Sequence, residues 1–245
     1  MNTFLIYAFL FFIGSVGGWL LELIYRRFFS NANPERKWIN PGFCTGPYLP
    51  LYGSGLCFLY AIASLEKYSM IKSPVINKLV LFITMAICMT VIEYISGLIS
   101  LKIYKVRLWD YTKEWGNIQG IICPKFSFYW AILGTLYYFL IHPHIIDALY
   151  WLSNNLAFSF VIGLFFGVFI IDISNSAQLA IKLKKLAEEY EIIMRYEALK
   201  SEIRKNHDKA KLKYHFFLPF KTYKPLSEII AEAKDSFEKY KNNKK

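Results

Sequence analysis

Two glutamates, Glu22 and Glu93, stand inside long apolar runs, and each precedes a tryptophan (Trp38, Trp109) by sixteen residues. Asp110, Asn117 and Lys125 lie close by in the chain, before or just inside the next apolar run. An ionised side chain within a membrane helix costs about 2.5–3.5 kcal/mol on insertion scales, so it faces a bundle interior, a partner or water. Carboxylates held that way can line a substrate cavity, or act as acid and base on a molecule at the membrane surface. A structural role competes with both. Glu22 is three residues from the end of its run and can reach headgroups, and Lys125 can snorkel or serve as counter-ion to either glutamate. Asp172 reads as a residue at the end of its run.

The elements that must position these residues are membrane helices. Of 245 residues, 55% are hydrophobic and only 19% charged, below the quarter usual for soluble domains. The apolar residues run in blocks: Thr3–Tyr25 with Glu22 alone charged, Tyr48–Leu65 with none, Leu79–Leu101 with Glu93, Ile118–Ile141 with Lys125, and Ala148–Ile171 with none. A helix needs about 20 residues to cross the hydrocarbon core. The expected fold class is therefore all-α, a polytopic transmembrane bundle of about five spans. Residues 1–175 form the membrane domain and 176–245 a basic cytoplasmic helical tail. The first block reads as a retained span, since no Lys or Arg precedes it and no small-x-small cleavage site follows.

Lys and Arg in the loops give an orientation. The loops after spans one and three hold Arg26, Arg27, Arg36, Lys37, Lys102, Lys105, Arg107 and Lys113; those after spans two and four hold only Lys67, Lys72 and Lys78. Eight against three predicts an external N-terminus and a C-terminus in the cytoplasm, in an inner (cytoplasmic) membrane. The four cysteines (Cys44, Cys57, Cys88, Cys123) have no CxxC spacing and read as buried small hydrophobes.

Helix breakers crowd "NPGFCTGPYLPLYG", residues 40–53, with Pro41, Gly42, Gly46, Pro47, Pro50 and Gly53. Irregular chain at membrane depth must be enclosed by protein or line a wet cavity, although a plain turn between two spans is the simpler alternative. A repeat favours enclosure. Gly42 precedes Tyr52 by ten residues, and Gly120 of "GNIQG" precedes Trp130 by ten. The offset between units is 71 residues before the turn and 78 after it, so the second loop carries seven extra residues. Two parallel helix-loop-helix units followed by a fifth span account for this order. Tyr52 and Trp130 are then expected in equivalent places.

"GWLLE" (18–22), "NPGFCTGPYLPLYG", Glu93 with "SG" (96–97), "WDYT" (109–112) and "NIQG" (117–120) resemble a family of bacterial integral membrane proteins. These are the ABC transporter permeases of type IV, or CmpB-like proteins, and the resemblance covers about residues 5–175. Pro41 stands where many members carry a basic residue, and Thr112 where many carry serine. The resemblance implies a permease-like membrane subunit and marks Glu22, Glu93, Trp109, Asp110 and Asn117. It also implies a separate ATPase subunit as partner, because no G-x-x-x-x-G-K-[ST] occurs in the chain.

Residues 176–245 hold seventeen basic and ten acidic side chains. Leu179, Leu183, Leu186, Tyr190 and Ile193, then Tyr196, Leu199 and Ile203, predict one helix over 178–205 continuing span five. An amphipathic helix is expected over 225–245. Both suit anionic lipid headgroups without nucleic acid. Gly14 with Gly18, and Gly163 with Gly167, are close-approach pairs for packing within the chain or in a homo-oligomer. Three functions follow: a transport subunit with a polar cavity open to the cytoplasm; an inner-leaflet enzyme using Glu22, Glu93 or Asp110; or a scaffold acting through its tail. No histidine is expected in a span, no metal-ligand spacing appears, and no cofactor is implied.

Overall fold

The structure is a computed structural model, and it describes residues 2–30, 33, 35–210 and 215–233. The apolar runs are helical because lipid offers no hydrogen bonds, so a spanning chain must pair its own backbone groups. In order they are α1 (Thr3–Phe28), α2 (Pro50–Leu65), α3 (Pro74–Leu98), α4 (Pro124–Leu136), α5 (His142–Asn154), α6 (Ser159–Glu189) and α7 (Tyr196–Lys209). Proline in the first helical turn opens α2, α4 and α5, where a missing N–H costs nothing. A π-helical segment, Tyr137–Ile141, joins α4 to α5. Pro143 cannot donate to the ladder, and this wider turn carries the helix past it.

The all-α membrane architecture stands, with four helical runs long and apolar enough to cross a membrane among the described residues: Thr3–Phe28, Pro74–Ile103, Pro124–Asn154 and Leu156–Glu189. The expected second span is shorter. At 16 residues, α2 covers about 24 Å, and the 3-10 turn Glu66–Tyr68 extends it. The fourth run starts at Pro124 rather than Ile118, because residues 108–123, after β1, form a loop of turns and bends, and it absorbs residues 142–154. His142 and His144 therefore do lie in an apolar run, contrary to expectation. The single tail helix over 178–205 is also corrected. It breaks after Glu189, where Glu191 takes a left-handed conformation (φ 54°) and Ile192 N–H donates back to Ala187 O at 2.9 Å. That is the bonding of a helix C-terminus, here without its usual glycine. The C-terminal amphipathic helix is present over 226–233; its continuation over 234–245 lies outside the described residues.

The chain divides into two compact units. The first comprises 1–22, 47–95 and 111–170. Within it α3 shows how the sequence chooses its faces. Leu81, Met85, Met89 and Glu93, four apart, are buried, whereas Leu79, Ile83, Ile87, Val91 and Ile95 are about half exposed. An outward stripe of large aliphatics suits lipid and would be a liability in water. Gly18 lies against Tyr52: a Cβ there would fall 2.2 Å from the tyrosine Cβ. Between α1 and α2 a small residue faces a large one, since a Cβ on Gly14 would meet Leu56 at 2.8 Å. Between α3 and α4 the sizes are reversed, and a Cβ on Gly134 would meet Met85 at 3.3 Å. Gly14 and Met85 are separated by 71 residues, Leu56 and Gly134 by 78, matching the two repeat offsets. At these corresponding positions the large side chain stands on opposite partners of the contact. Nothing approaches Gly163 or Gly167 within 4 Å of an added Cβ.

The second unit comprises 23–46, 96–110 and 171–245. Its core gathers Leu183, Met194, Leu199, Ile203, Ile229 and Ile230, each fully buried. Two short parallel strands, β1 (Val106–Arg107) and β2 (Met194–Arg195), pair Arg107 with Arg195. Asp110 accepts from both guanidiniums, which offsets the like charges that the register sets side by side.

Candidate functional site

Glu93 sits on the buried stripe of α3 and is 3% exposed. Trp130 Nε1 donates to its Oε2 at 2.9 Å, and Tyr111 OH to its Oε1 at 3.0 Å. Glu22, half-buried at the end of the first unit's share of α1, accepts from Tyr52 OH at 2.9 Å. The Tyr52 and Trp130 ring centroids lie 5.5 Å apart. Each glutamate is thus bonded by an aromatic residue of the helix after it. The separations are 30 and 37 residues, differing by the seven extra residues of the second loop. Tyr52 and Trp130 do occupy equivalent places.

Tyr111 is held by the loop that Gly120 closes. Asn117 Nδ2 donates to Thr112 O and Glu114 O, while its Oδ1 accepts from Gly120 N–H at 3.0 Å. Gly120 adopts φ 67°, where a side chain would be strained. Its carbonyl accepts from Tyr111 N–H at 2.9 Å, which fixes the stem of the residue whose hydroxyl reaches Glu93. Stacking on Phe126, with centroids 4.1 Å apart, fixes the ring. Burial and the Glu93 carboxylate push the Tyr111 hydroxyl well above its usual range, so it acts as a neutral donor.

The energies are of similar size. Carrying a charged carboxylate into a span costs about 2.5–3.5 kcal/mol, and each hydrogen bond to a charged group returns about 1.5–3 kcal/mol.

The remaining expected residues separate. Lys125 Nζ pairs with Glu114 at 3.1 Å, both partly exposed. Such pairs are worth at most about 1 kcal/mol. Trp109 is half-buried in the second unit, where Asp110 joins the two arginines of the strand pair. Of the breakers, Pro47, Pro50 and Gly53 belong to the first unit; Pro41, Gly42 and Gly46 belong to the second. Gly53 packs close, since a Cβ there would come within 2.1 Å of Ser15 Oγ.

In the second unit the turn is enclosed. Asn40, Pro41, Gly42 and Cys44 are buried. Asn40 Oδ1 accepts from Gly42 N–H at 3.2 Å, and its Nδ2 donates to Cys44 O and Thr45 O. The buried Asp172 accepts from Thr45 N–H at 3.1 Å and Gly46 N–H at 2.8 Å, so it is a turn anchor rather than an incidental residue at a run's end. From α7, Lys200 Nζ donates to Asn40 O at 3.0 Å and Tyr196 OH to Phe43 O at 3.2 Å. Glu197 bridges Arg26 and Lys200, 2.9 Å from each. Burial works against its charge, but the two cations outweigh burial and hold the carboxyl below its usual range. Burial and the Asp172 charge push the Cys44 thiol up to about 12. Ionisation is thereby suppressed, and reactivity needs the thiolate. Among the described residues no group of three or more His, Cys, Asp or Glu is placed to hold a metal ion.

Long apolar helices together with a paired glutamate–aromatic cluster define an all-α membrane protein. Its sequence matches the family described as "Putative ABC-transporter type IV" over residues 9–177, more than half of the chain, and the protein belongs to that family. No curated protein and no solved structure matches it.

Proposed function

We propose that the protein is the membrane subunit of a transporter, with Glu22 and Glu93 at the centre of a polar site reached from the cytoplasm. The observation behind this reading is Glu93, a buried acid in a membrane helix whose two oxygens each have a donor fixed by a separate element. A residue needed only for packing would be cheaper as leucine. Membership of an ABC-transporter family favours transport over enzymatic work at the inner leaflet or a scaffold role. With no nucleotide-binding motif in the chain, ATP would be bound by a separate ATPase subunit. The N-terminus lies outside and the basic residues 176–245 lie in the cytoplasm, in this reading. The test is Glu93→Gln, which keeps shape and removes charge. It is expected to leave folded, membrane-inserted protein that fails in complementation of a deletion strain. Full activity would end the proposal.

A further inference from the structure

We infer that the loop before α4 carries a membrane anchor centred on Trp115, whose partner is the boundary between lipid headgroups and acyl chains. Trp115 is 85% exposed, more than any of the other five tryptophans, and Ile118 close by is 53% exposed. In water both would leave apolar surface hydrated, and lipid removes it. The indole suits this boundary, because its ring is apolar while its N–H keeps a polar partner.

The place of the tip follows from its packing on α4. Pro124, Phe128, Ile132 and Leu136 stand four apart on that helix and are all exposed, so they form one outward apolar stripe. Pro124 begins both the helix and the stripe. Gly116 lies against it, since a Cβ there would fall 3.1 Å from the Pro124 Cγ. Trp115 is therefore held where the stripe ends. An outward stripe that ends with its helix ends at the membrane surface, the depth that aromatic belts occupy.

The tip is also stiff. Gly116 takes φ 64°, a left-handed position that glycine fills without strain. Asn117 Nδ2 donates to Thr112 O and Glu114 O, and Ile118 N–H donates to Ile122 O at 2.9 Å. A segment already ordered gives up little conformational entropy when it enters lipid. Its carboxylate is paired as well, with Lys125 Nζ 3.1 Å from Glu114. The size of the patch favours lipid over a protein partner. A stable protein contact buries about 800 Å² on each side, which two side chains cannot supply. The same loop carries Tyr111 to Glu93, but the anchor does not depend on any role for that glutamate.

The experiment is fluorescence of the purified full chain in liposomes of phosphatidylcholine and phosphatidylglycerol. Bromine is placed on the acyl chains either close to the headgroup or close to the methyl end. Subtracting Trp115→Phe from wild type isolates the Trp115 signal. That signal is expected to be quenched by bromine near the headgroup, and less by bromine near the chain end. Quenching by neither lipid overturns the inference, and so does quenching that is strongest at the chain end. With neither, added iodide separates a tip free in water, which it quenches, from one enclosed by protein, which it does not. If Trp115→Phe fails to insert, Ile118→Trp takes its place. The signal that this variant adds to wild type should show the same preference for shallow bromine, and an added signal untouched by bromine overturns the inference.

Discussion

Trp130 Nε1 and Glu93 Oε2 meet at 2.9 Å across 37 residues of chain, and the bond joins the last helix of the second repeat to its first. Trp130→Phe keeps the ring against Tyr52 and removes only the donor. It should lower stability by about 1.5–3 kcal/mol, the worth of a hydrogen bond to a charged acceptor. Tyr52→Phe, which strips the equivalent donor from half-buried Glu22, should cost less. Unfolding of purified protein in mixed micelles would order the two; equal costs would argue against unequal roles for the glutamates.

Two glycine pairs should part company. Gly18→Ala places a methyl 2.2 Å from the Tyr52 side chain and is expected to cost about 1–3 kcal/mol through overpacking, with some displacement of the Tyr52 hydroxyl from Glu22. Gly163→Ala and Gly167→Ala meet nothing within 4 Å and should be neutral or slightly stabilising, since alanine is the better helix former. Thermal melts of the three variants would check this. A damaging Gly163→Ala would indicate that the α6 glycines pack against another copy.

The α7 contacts predict sensitivity to acid. Glu197 has its carboxyl held down in the folded protein, so its contribution is complete above the unfolded value near 4.5. It is lost as pH falls through the folded value, because the unfolded chain binds the proton first. Amide protection factors over residues 38–46 should fall at low pH, and the same loss of protection should appear at neutral pH in Lys200→Met, which removes the donor to Asn40 O. Unchanged protection in Lys200→Met would mean that α7 does not secure the turn.

Orientation can be tested at the connector between α5 and α6. Asn155 is exposed there, and Asn155→Cys in intact cells should react with a membrane-impermeant maleimide. Protection until the cells are opened would reverse the proposed topology.

The glutamates, their spacing and the Tyr52–Trp130 equivalence were legible because a charge in an apolar run stands out and a repeat preserves order. Tyr111 was not. It lies in the polar stretch "KVRLWDYTKEW", and its hydroxyl reaches Glu93 only because the loop folds back through Gly120, a relation without periodicity. Asp172 looked incidental because its partners, Thr45 and Gly46, are more than 120 residues away and use backbone N–H groups that leave no mark in sequence. The break after Glu189 was hidden for a third reason. The left-handed position went to glutamate, and pairing of Met194–Arg195 with β1 outweighs the helical periodicity that runs on to Ile203.

The reversed sizes at Gly14–Leu56 and Met85–Gly134 bear on how the two halves could have diverged. If both descend from one duplicated segment, they began with identical contacts, and at this position they no longer do. Giving the first half's glycine to the second (Met85→Gly) would leave a glycine facing a glycine and open a void. Giving the second half's methionine to the first (Gly14→Met) would drive it into leucine. Each half has become a lock cut for its own key, so neither copy can be repaired by recombination with its sibling unless both sides of the contact are exchanged together. Divergence of this kind is hard to reverse. It keeps the order of the helices while one glutamate is half-buried and the other enclosed.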